Sequence, residues 1–369
     1  MSDGTSIEWT DATWQVSTGC DRVSPECGTH EGGCYAERMA WRLSHNPATP
    51  QYQGVVRMTE HGARWTGLVK PFEDDLLAPL HWRKPRRVFV NSMSDLFHED
   101  LPDAHIDRVF ATMLACEVLG NRTKHTFQVL TKRAERMRDY FRASPAELLQ
   151  RWAKAADGRI ILDNADVWFS EYVETLSSHP VEADGRVRET GAPWSHPENL
   201  FPLKNVWLGV SCGTRKHGLP RLDALRTIPA AVRWVSFEPL LEDLGPLDLR
   251  GIEWVIVGGE SGPGARPCHV AWIRRVVEQC HEQRVRVFVK QLGAYVIDRN
   301  DAGFEAETIT PPDPEAWPTP VRVEEDLDGT RDGYQGAPVR VHLKNKKGGD
   351  MAEWPAGLRV REMPEVSNG

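Results

Sequence analysis

The sequence predicts an α/β protein, a complete or partial TIM-type (β/α) barrel of about six to seven parallel strands with insertions. Three observations predict it. Short, β-rich apolar runs recur along the 369 residues, helical patterns fall between several of them, and most runs end in polar or charged groups. Runs that are nearly continuous rather than alternating suit strands buried on both faces. Strand–helix alternation calls for parallel pairing, and right-handed crossovers then curl the sheet one way.

Taken in order, a first strand is expected at Thr13–Thr18, ahead of Cys20. A helix follows over Tyr35–Leu43, where Tyr35, Met39 and Leu43 share a stripe. Arg87–Ser92 (RVFVNS) is the next strand. Asp103–Leu119 places Ile106, Phe110, Met113 and Leu114 at helical spacing, with Gly120 as a natural stop. Further strands are expected at Thr126–Thr131 (TFQVLT), Asn205–Ser211 (NVWLGVS), Val232–Phe237 (VRWVSF), Glu253–Gly258 (EWVIVG) and Arg286–Lys290 (RVFVK). A helix over Ala271–Gln283 aligns Ile273, Val277 and Cys280.

Two stretches break the alternation. Residues 143–204 read as a helical insertion followed by a polar, proline-containing loop, and residues 296–345 as an acidic, Pro- and Gly-rich loop or flap. The expected barrel core is therefore 1–142 and 205–295, with 346–369 a C-terminal segment packing on it.

The net charge of -8 argues against a generally basic nucleic-acid-binding surface, though not against a local basic groove. Seven cysteines without regular pairing argue against a disulfide framework and favour a reducing cytoplasm. No run reaches the length of a membrane span. The start carries no basic, apolar pre-sequence, so no export signal is expected.

Function in such a barrel collects where strands end. The first strand runs into TWQVSTGCDRVSPECGTHEGGCYAERMA, which holds Cys20, Cys27 and Cys34. Three thiolates on one loop can bind an iron–sulfur cluster or a zinc ion. On a [4Fe–4S] cluster they leave one iron open to a small molecule. Zinc would take the three cysteines with His30. Unligated thiols are the third reading.

The other strand ends supply more candidates. Asp95 and His98 suit an acid/base pair or polar binders, unless Asp95 or Asp100 caps the next helix. Lys132 and Arg133 suit a carboxylate or phosphate. Glu238 stands between Phe237 and Pro239. In the Gly258–Gly264 loop, glycines let backbone amides approach an anion or cofactor, and Glu260 can accept from an ammonium or a ribose hydroxyl. Lys290 is the charge near the end of the last run. Cys116 and Cys280 read as buried helix thiols, and Cys212 and Cys268 fall at the mouth.

The blocks IEWTDATW, CYAERMA, VFVNSMSDLFHEDLP, FQVLTKRAERM, NVWLGVS, SFEPLL, WVIVGGESGPGARP and KGGDMAEWP lie between Ile7 and Glu362. Together they resemble a family of phage and prophage-associated proteins of unknown function with a three-cysteine motif. The resemblance implies a radical S-adenosylmethionine-like enzyme on a partial TIM barrel. Cys20, Cys27 and Cys34 would hold a [4Fe–4S] cluster, and S-adenosylmethionine would lie across the barrel mouth. Its reductive cleavage would generate a 5′-deoxyadenosyl radical acting on an unknown substrate, with phage nucleic acid one candidate. A separate three-cysteine-motif partner protein and an electron donor are implied as well.

On that reading Asp95, Lys132 and Glu238 are the catalytic candidates, and Gly258, Gly259, Glu260, Ser261 and Lys290 the cofactor-binding ones. The family pattern is C-x6-C-x2-C followed by Tyr-Ala. Here the second gap is also six, so Gly28–Gly33 holds four extra residues and must fold back to bring Cys27 and Cys34 together. Two rivals stay open. One is a zinc-stabilised binding protein without redox chemistry. The other is a metal-free barrel hydrolase or lyase using Asp95, His98 and Glu238.

Overall fold

The computed structural model describes residues 5–28, 34–119, 124–160, 169–178, 196–298, 309–310 and 339–364. Its main sheet has seven strands: β1 (Ala12–Thr13), β2 (Arg87–Val90), β3 (Thr126–Thr131), β4 (Val206–Ser211), β5 (Val232–Phe237), β6 (Trp254–Gly258) and β7 (Arg286–Gln291). Their order in the sheet is their order in the chain, and all run parallel. Sequential order is what repeated crossovers of one hand produce; a doubly wound sheet reverses midway. β1 and β7 do not pair with each other. The sheet is therefore open, the partial rather than the complete form of a TIM-type barrel. β4 and β6 are buried along their whole length, as their unbroken apolar sequences require.

The first strand differs from its expected span. Only Ala12 and Thr13 join the sheet, opposite Val88 and Phe89, while Ser17–Thr18 pairs antiparallel with Lys70–Pro71. Val16 already accepts from the Phe72 N–H at 2.9 Å, so residues 70–72 take the chain off the ladder before Cys20. This switch of partner leaves no mark on the apolar run.

Seven helices are described: α1 (Tyr35–Ser44), α2 (Asp103–Val118), α3 (Ala134–Tyr140), α4 (Pro145–Ala156), α5 (Phe169–Ser178), α6 (Arg215–Arg226) and α7 (Val270–Glu282). Ile106, Phe110, Met113 and Leu114 of α2 are all buried. The position expected to stop α2, Gly120, lies outside the described residues. Asp95 and Asp100 do not cap α2; Pro102 holds that position without a side-chain cap. α6 went unrecognised in the sequence because Gly218 and Pro220 disfavour a helix that packing nevertheless maintains.

The chain divides into two compact units. One comprises Met1–Ser211, Lys216–Val235 and Gly251–Glu253, the other Cys212–Arg215, Ser236–Arg250 and Trp254–Gly369. In the first, the insertion helix α4 starts with a reciprocal Ser144–Glu147 capping box. It stacks Trp152 on Phe110 of α2 at 4.8 Å between ring centres. Tyr140 donates to Asp107 (2.7 Å) and accepts from the Trp152 indole (2.8 Å), while Arg151 grips both oxygens of Asp107. A hairpin of Val56–Thr59 and Gly62–Trp65, not anticipated from the sequence, packs beside α1.

In the second unit, the stretch expected to be an acidic loop or flap contributes Val296–Asp298, Ile309–Thr310 and Val339–Val341 to a small sheet with Cys268–His269. Residues 299–308 and 311–338 lie outside the described residues. The C-terminal segment runs along β7. Val289 donates to Val360 O and Glu362 to Val287 O, both at 2.9 Å, and Arg361 lies over the rings of Phe288 and Trp354. This covers a sheet edge that would otherwise present unpaired backbone groups. Among the described residues no helix is long and apolar enough to cross a membrane.

Candidate functional site

The cysteine loop begins at Gly19, whose φ of +90° suits glycine and whose missing Cβ lets Leu68 O come close. Gly19 also bridges Ser94 in parallel, so Cys20 emerges beside the end of β2. Cys27 closes a 3-10 turn over Pro25–Cys27, and Cys34 is the N-cap residue of α1. The described charged residues between Cys20 and Cys27 are all paired. Asp21 meets His98 at 2.9 Å and also Arg133. Arg22 holds both oxygens of Glu37 at 3.0 and 2.5 Å, and Glu26 faces Arg221 at 3.7 Å. The Glu26 and Glu37 side chains are buried. Most of the extra segment, residues 29–33 with His30, lies outside the described residues.

Cys20 and Cys34 pack against one apolar cluster that includes Val55, Trp65 and Met93. Cys27 lies within electrostatic reach of both. Burial pushes the Cys20 thiol up to about 12, the Asp95 charge adding to the effect and Arg133 opposing it. Burial, then the Glu37 charge, also raises Cys34, against which Lys132 works. The three sulfurs are not all within 4.8 Å of one another. Two buried hydroxyls without a hydrogen-bond partner, Ser24 Oγ and Ser94 Oγ, belong to the loop and to the residue bridged by Gly19. None of the seven cysteines forms a disulfide, and Cys116, Cys212, Cys268 and Cys280 are buried.

Asp95 lies at the centre of this unit's polar groups. Its Oδ1 accepts from Phe97 N (3.0 Å) and Thr131 Oγ1 (2.7 Å), and its Oδ2 from Lys132 N (3.0 Å) and Arg133 Nη1 (3.3 Å). Four donors on a carboxylate leave little capacity for a reacting proton. Asp95 and His98 are not the expected acid/base pair, because the His98 imidazole faces Asp21. His98 Nδ1 accepts from Asp100 N at 3.1 Å, so Nε2 carries the proton directed at Asp21. Asp21, His98 and Glu99 bring ligand-type atoms within 4.8 Å of one another, but Arg133 bonds both carboxylates.

The remaining candidates belong to the second unit. Lys290 Nζ bonds Glu238 Oε1 at 2.6 Å, and Gln291 Nε2 bridges Glu238 Oε1 (3.1 Å) and Gly259 O (2.9 Å). Lys290 thus has a carboxylate beside it, where an anion had been expected. Gly258 and Gly259 allow close packing: a Cβ on Gly258 would stand 2.8 Å from Gln291 O, and one on Gly259 2.9 Å from Cys268 Cβ. Glu260, expected to receive an ammonium or ribose hydroxyl, instead takes three bonds from Arg266, through N and Nε on Oε2 (2.9 and 2.7 Å) and Nη2 on Oε1 (2.9 Å). Ser261 is partly buried beside it.

The site residues that sequence reasoning missed are Asp21, Arg22, Glu26, Glu37 and Arg221. Charged residues interleaved with the cysteines were the available signal for the first three. Nothing local marks Glu37 or Arg221.

Against known proteins, residues 4–352 match the family model described as "Protein of unknown function (DUF5131)". No curated protein and no solved structure matches.

Proposed function

Since the chain belongs to the DUF5131 family, whose function is unknown, we propose on the site's own chemistry that it is a radical S-adenosylmethionine-like enzyme. Cys20, Cys27 and Cys34 are assigned to a [4Fe–4S] cluster. One observation carries the reading: three thiols stand on a loop fixed by buried ion pairs, leaving the first strand of an open, sequentially wound parallel sheet. The donor set fits. A cluster spreads its cysteines over different irons, whereas one zinc ion needs every sulfur about 2.3 Å from a single point. The three sulfurs are not gathered within 4.8 Å of one another, as a single zinc ion would require.

Such a cluster, once bound, would supply the electron that cleaves S-adenosylmethionine to methionine and a 5′-deoxyadenosyl radical. The chain's own residues have simpler tasks. Cys20 and Cys34 are partly buried, and desolvation holds the empty thiols protonated, so loading releases protons. Lys132 favours the Cys34 thiolate. Ser24 and Ser94 offer unengaged hydroxyls to a bound group. The three-cysteine-motif partner protein, the external electron donor and the phage setting belong to the same proposal and rest on the sequence resemblance.

The test is anaerobic reconstitution of the full chain with iron and sulfide. The expected result is about four irons per chain, visible charge-transfer absorption, and 5′-deoxyadenosine on adding dithionite and S-adenosylmethionine. Each signal is lost in the Cys20→Ala, Cys27→Ala, Cys34→Ala triple variant. Stoichiometric zinc without iron uptake, or S-adenosylmethionine left intact by a loaded cluster, overturns the reading.

A further inference from the structure

We infer that Arg133 is a positioning residue for the Cys20 sulfur, donating an N–H to it and setting the reduction potential of the group the cysteines hold. The inference rests on the cluster reading above and concerns what this chain adds to it.

The Arg133 side chain is 3% exposed, and every nitrogen of its guanidinium has a partner. Nε bonds Glu99 Oε2 at 2.7 Å, Nη2 bonds Asp21, and Nη1 is shared between Asp95 Oδ2 (3.3 Å) and Cys20 Sγ (3.7 Å). A planar fork with its donors committed in this way cannot rotate. Asp95 is itself tied to backbone in the loop after β2 and just past the end of β3, through Phe97 N and Lys132 N. Thr131 completes the frame: its hydroxyl donates to Asp95 (2.7 Å) and accepts from Arg133 N (2.8 Å). Two strand ends thus aim one N–H at one sulfur.

The Cys20 thiol donates to Asp21 O at 3.3 Å, which leaves the sulfur lone pairs to Arg133. Arg133 also settles the role of the Asp21, His98 and Glu99 group. The cation among those carboxylates is the guanidinium, and His98 presents an N–H where a metal would need a lone pair. Arg133 and Asp95 are buried while Asp21 and Glu99 are exposed, and neither kind of ion pair returns much net stability. Their use here is geometric. Hydrogen bonds to ligand sulfurs are among the factors that set iron–sulfur potentials, and partners beyond the direct ligands orient those ligands. A positive donor on Cys20 stabilises the more negative, reduced state and so raises the potential.

The test is a dithionite-poised redox titration of the reconstituted full chain, followed by electron paramagnetic resonance. Arg133→Lys keeps the charge and loses the fork; Arg133→Gln loses the charge. The expected result is wild-type iron content with a midpoint shifted to more negative values, further in R133Q than in R133K. Wild-type protein labelled with 15N-arginine gives a readout independent of how the variants fold: the reduced cluster should show a weak nitrogen coupling. Unchanged midpoints, or no such coupling, overturn the inference while leaving the cluster reading intact. A wild-type chain that takes up no iron removes both.

Discussion

Arg22, between Cys20 and Cys27, closes on both carboxylate oxygens of Glu37, in the first turn of the helix that Cys34 caps. One ion pair therefore joins the two described arms of the cysteine loop across its four extra residues. Glu37 also accepts from Trp65 N at 3.2 Å, which anchors the latch to the hairpin beside α1.

Replacing Glu37 by Ala leaves Arg22 without its carboxylate and Trp65 N without an acceptor. The expected loss is about 3 kcal/mol of unfolding free energy, the cost of breaking a largely buried pair from one side. Urea denaturation measures it. Limited trypsinolysis should cut after Arg22 sooner than in the parent chain, and equal cleavage rates would show that the latch does not hold the loop.

Gly19→Ala asks an L-residue to adopt φ +90° and drives its methyl into Leu68 O. Backbone strain and overpacking together predict a cost of about 3 kcal/mol or more. Iron uptake should fall with stability, since Cys20 is the next residue. A Gly19→Ala chain as stable as the parent would contradict the close approach.

Tyr140→Phe removes the hydroxyl that links Asp107 to the Trp152 indole. Arg151 still grips Asp107, so only the Trp152 N–H is stranded. A loss of about 1–3 kcal/mol is expected in thermal or urea unfolding, with no change in metal uptake.

His125 is buried and neutral: Nδ1 accepts from Arg86 N (3.1 Å) and Nε2 donates to Pro79 O (3.0 Å). Burial pulls its pKa below the ordinary 6.5, with the Pro79 bond opposing and the Arg86 charge assisting. The unfolded chain therefore takes up the proton first as pH falls through 6.5, and stability drops until the folded pKa is passed. Urea midpoints compared at about pH 7.5 and 5.5 should fall less in His125→Gln than in the parent. Identical slopes would rule out this linkage.

Arg266→Ala should cost about 3 kcal/mol, because Glu260 stays buried with its partner gone. The Glu260→Ala, Arg266→Ala double variant should recover part of that loss. Without such recovery in a double-mutant cycle, Glu260 has a role beyond the clamp.

The sheet was legible in the sequence because strands buried on both faces must be apolar throughout, and the spans of β3 and β5 follow from TFQVLT and VRWVSF alone. The helix over Asp103–Val118 was legible for the same reason, since its buried positions repeat at helical spacing. The small sheet of the second unit was not, because its strands of two or three residues are too short to carry a period.

By itself, then, the sequence determined a wound parallel sheet and the three cysteines on its first loop, because periodicity and residue type are local properties. Only tertiary structure decided what each charged candidate does. A carboxylate such as Asp95, Glu238 or Glu260 looks the same in a sequence whether it meets a substrate or a neighbour. Its partners, Arg133, Lys290 and Arg266, were identified by folding, since ion pairing depends on distance in space and not along the chain.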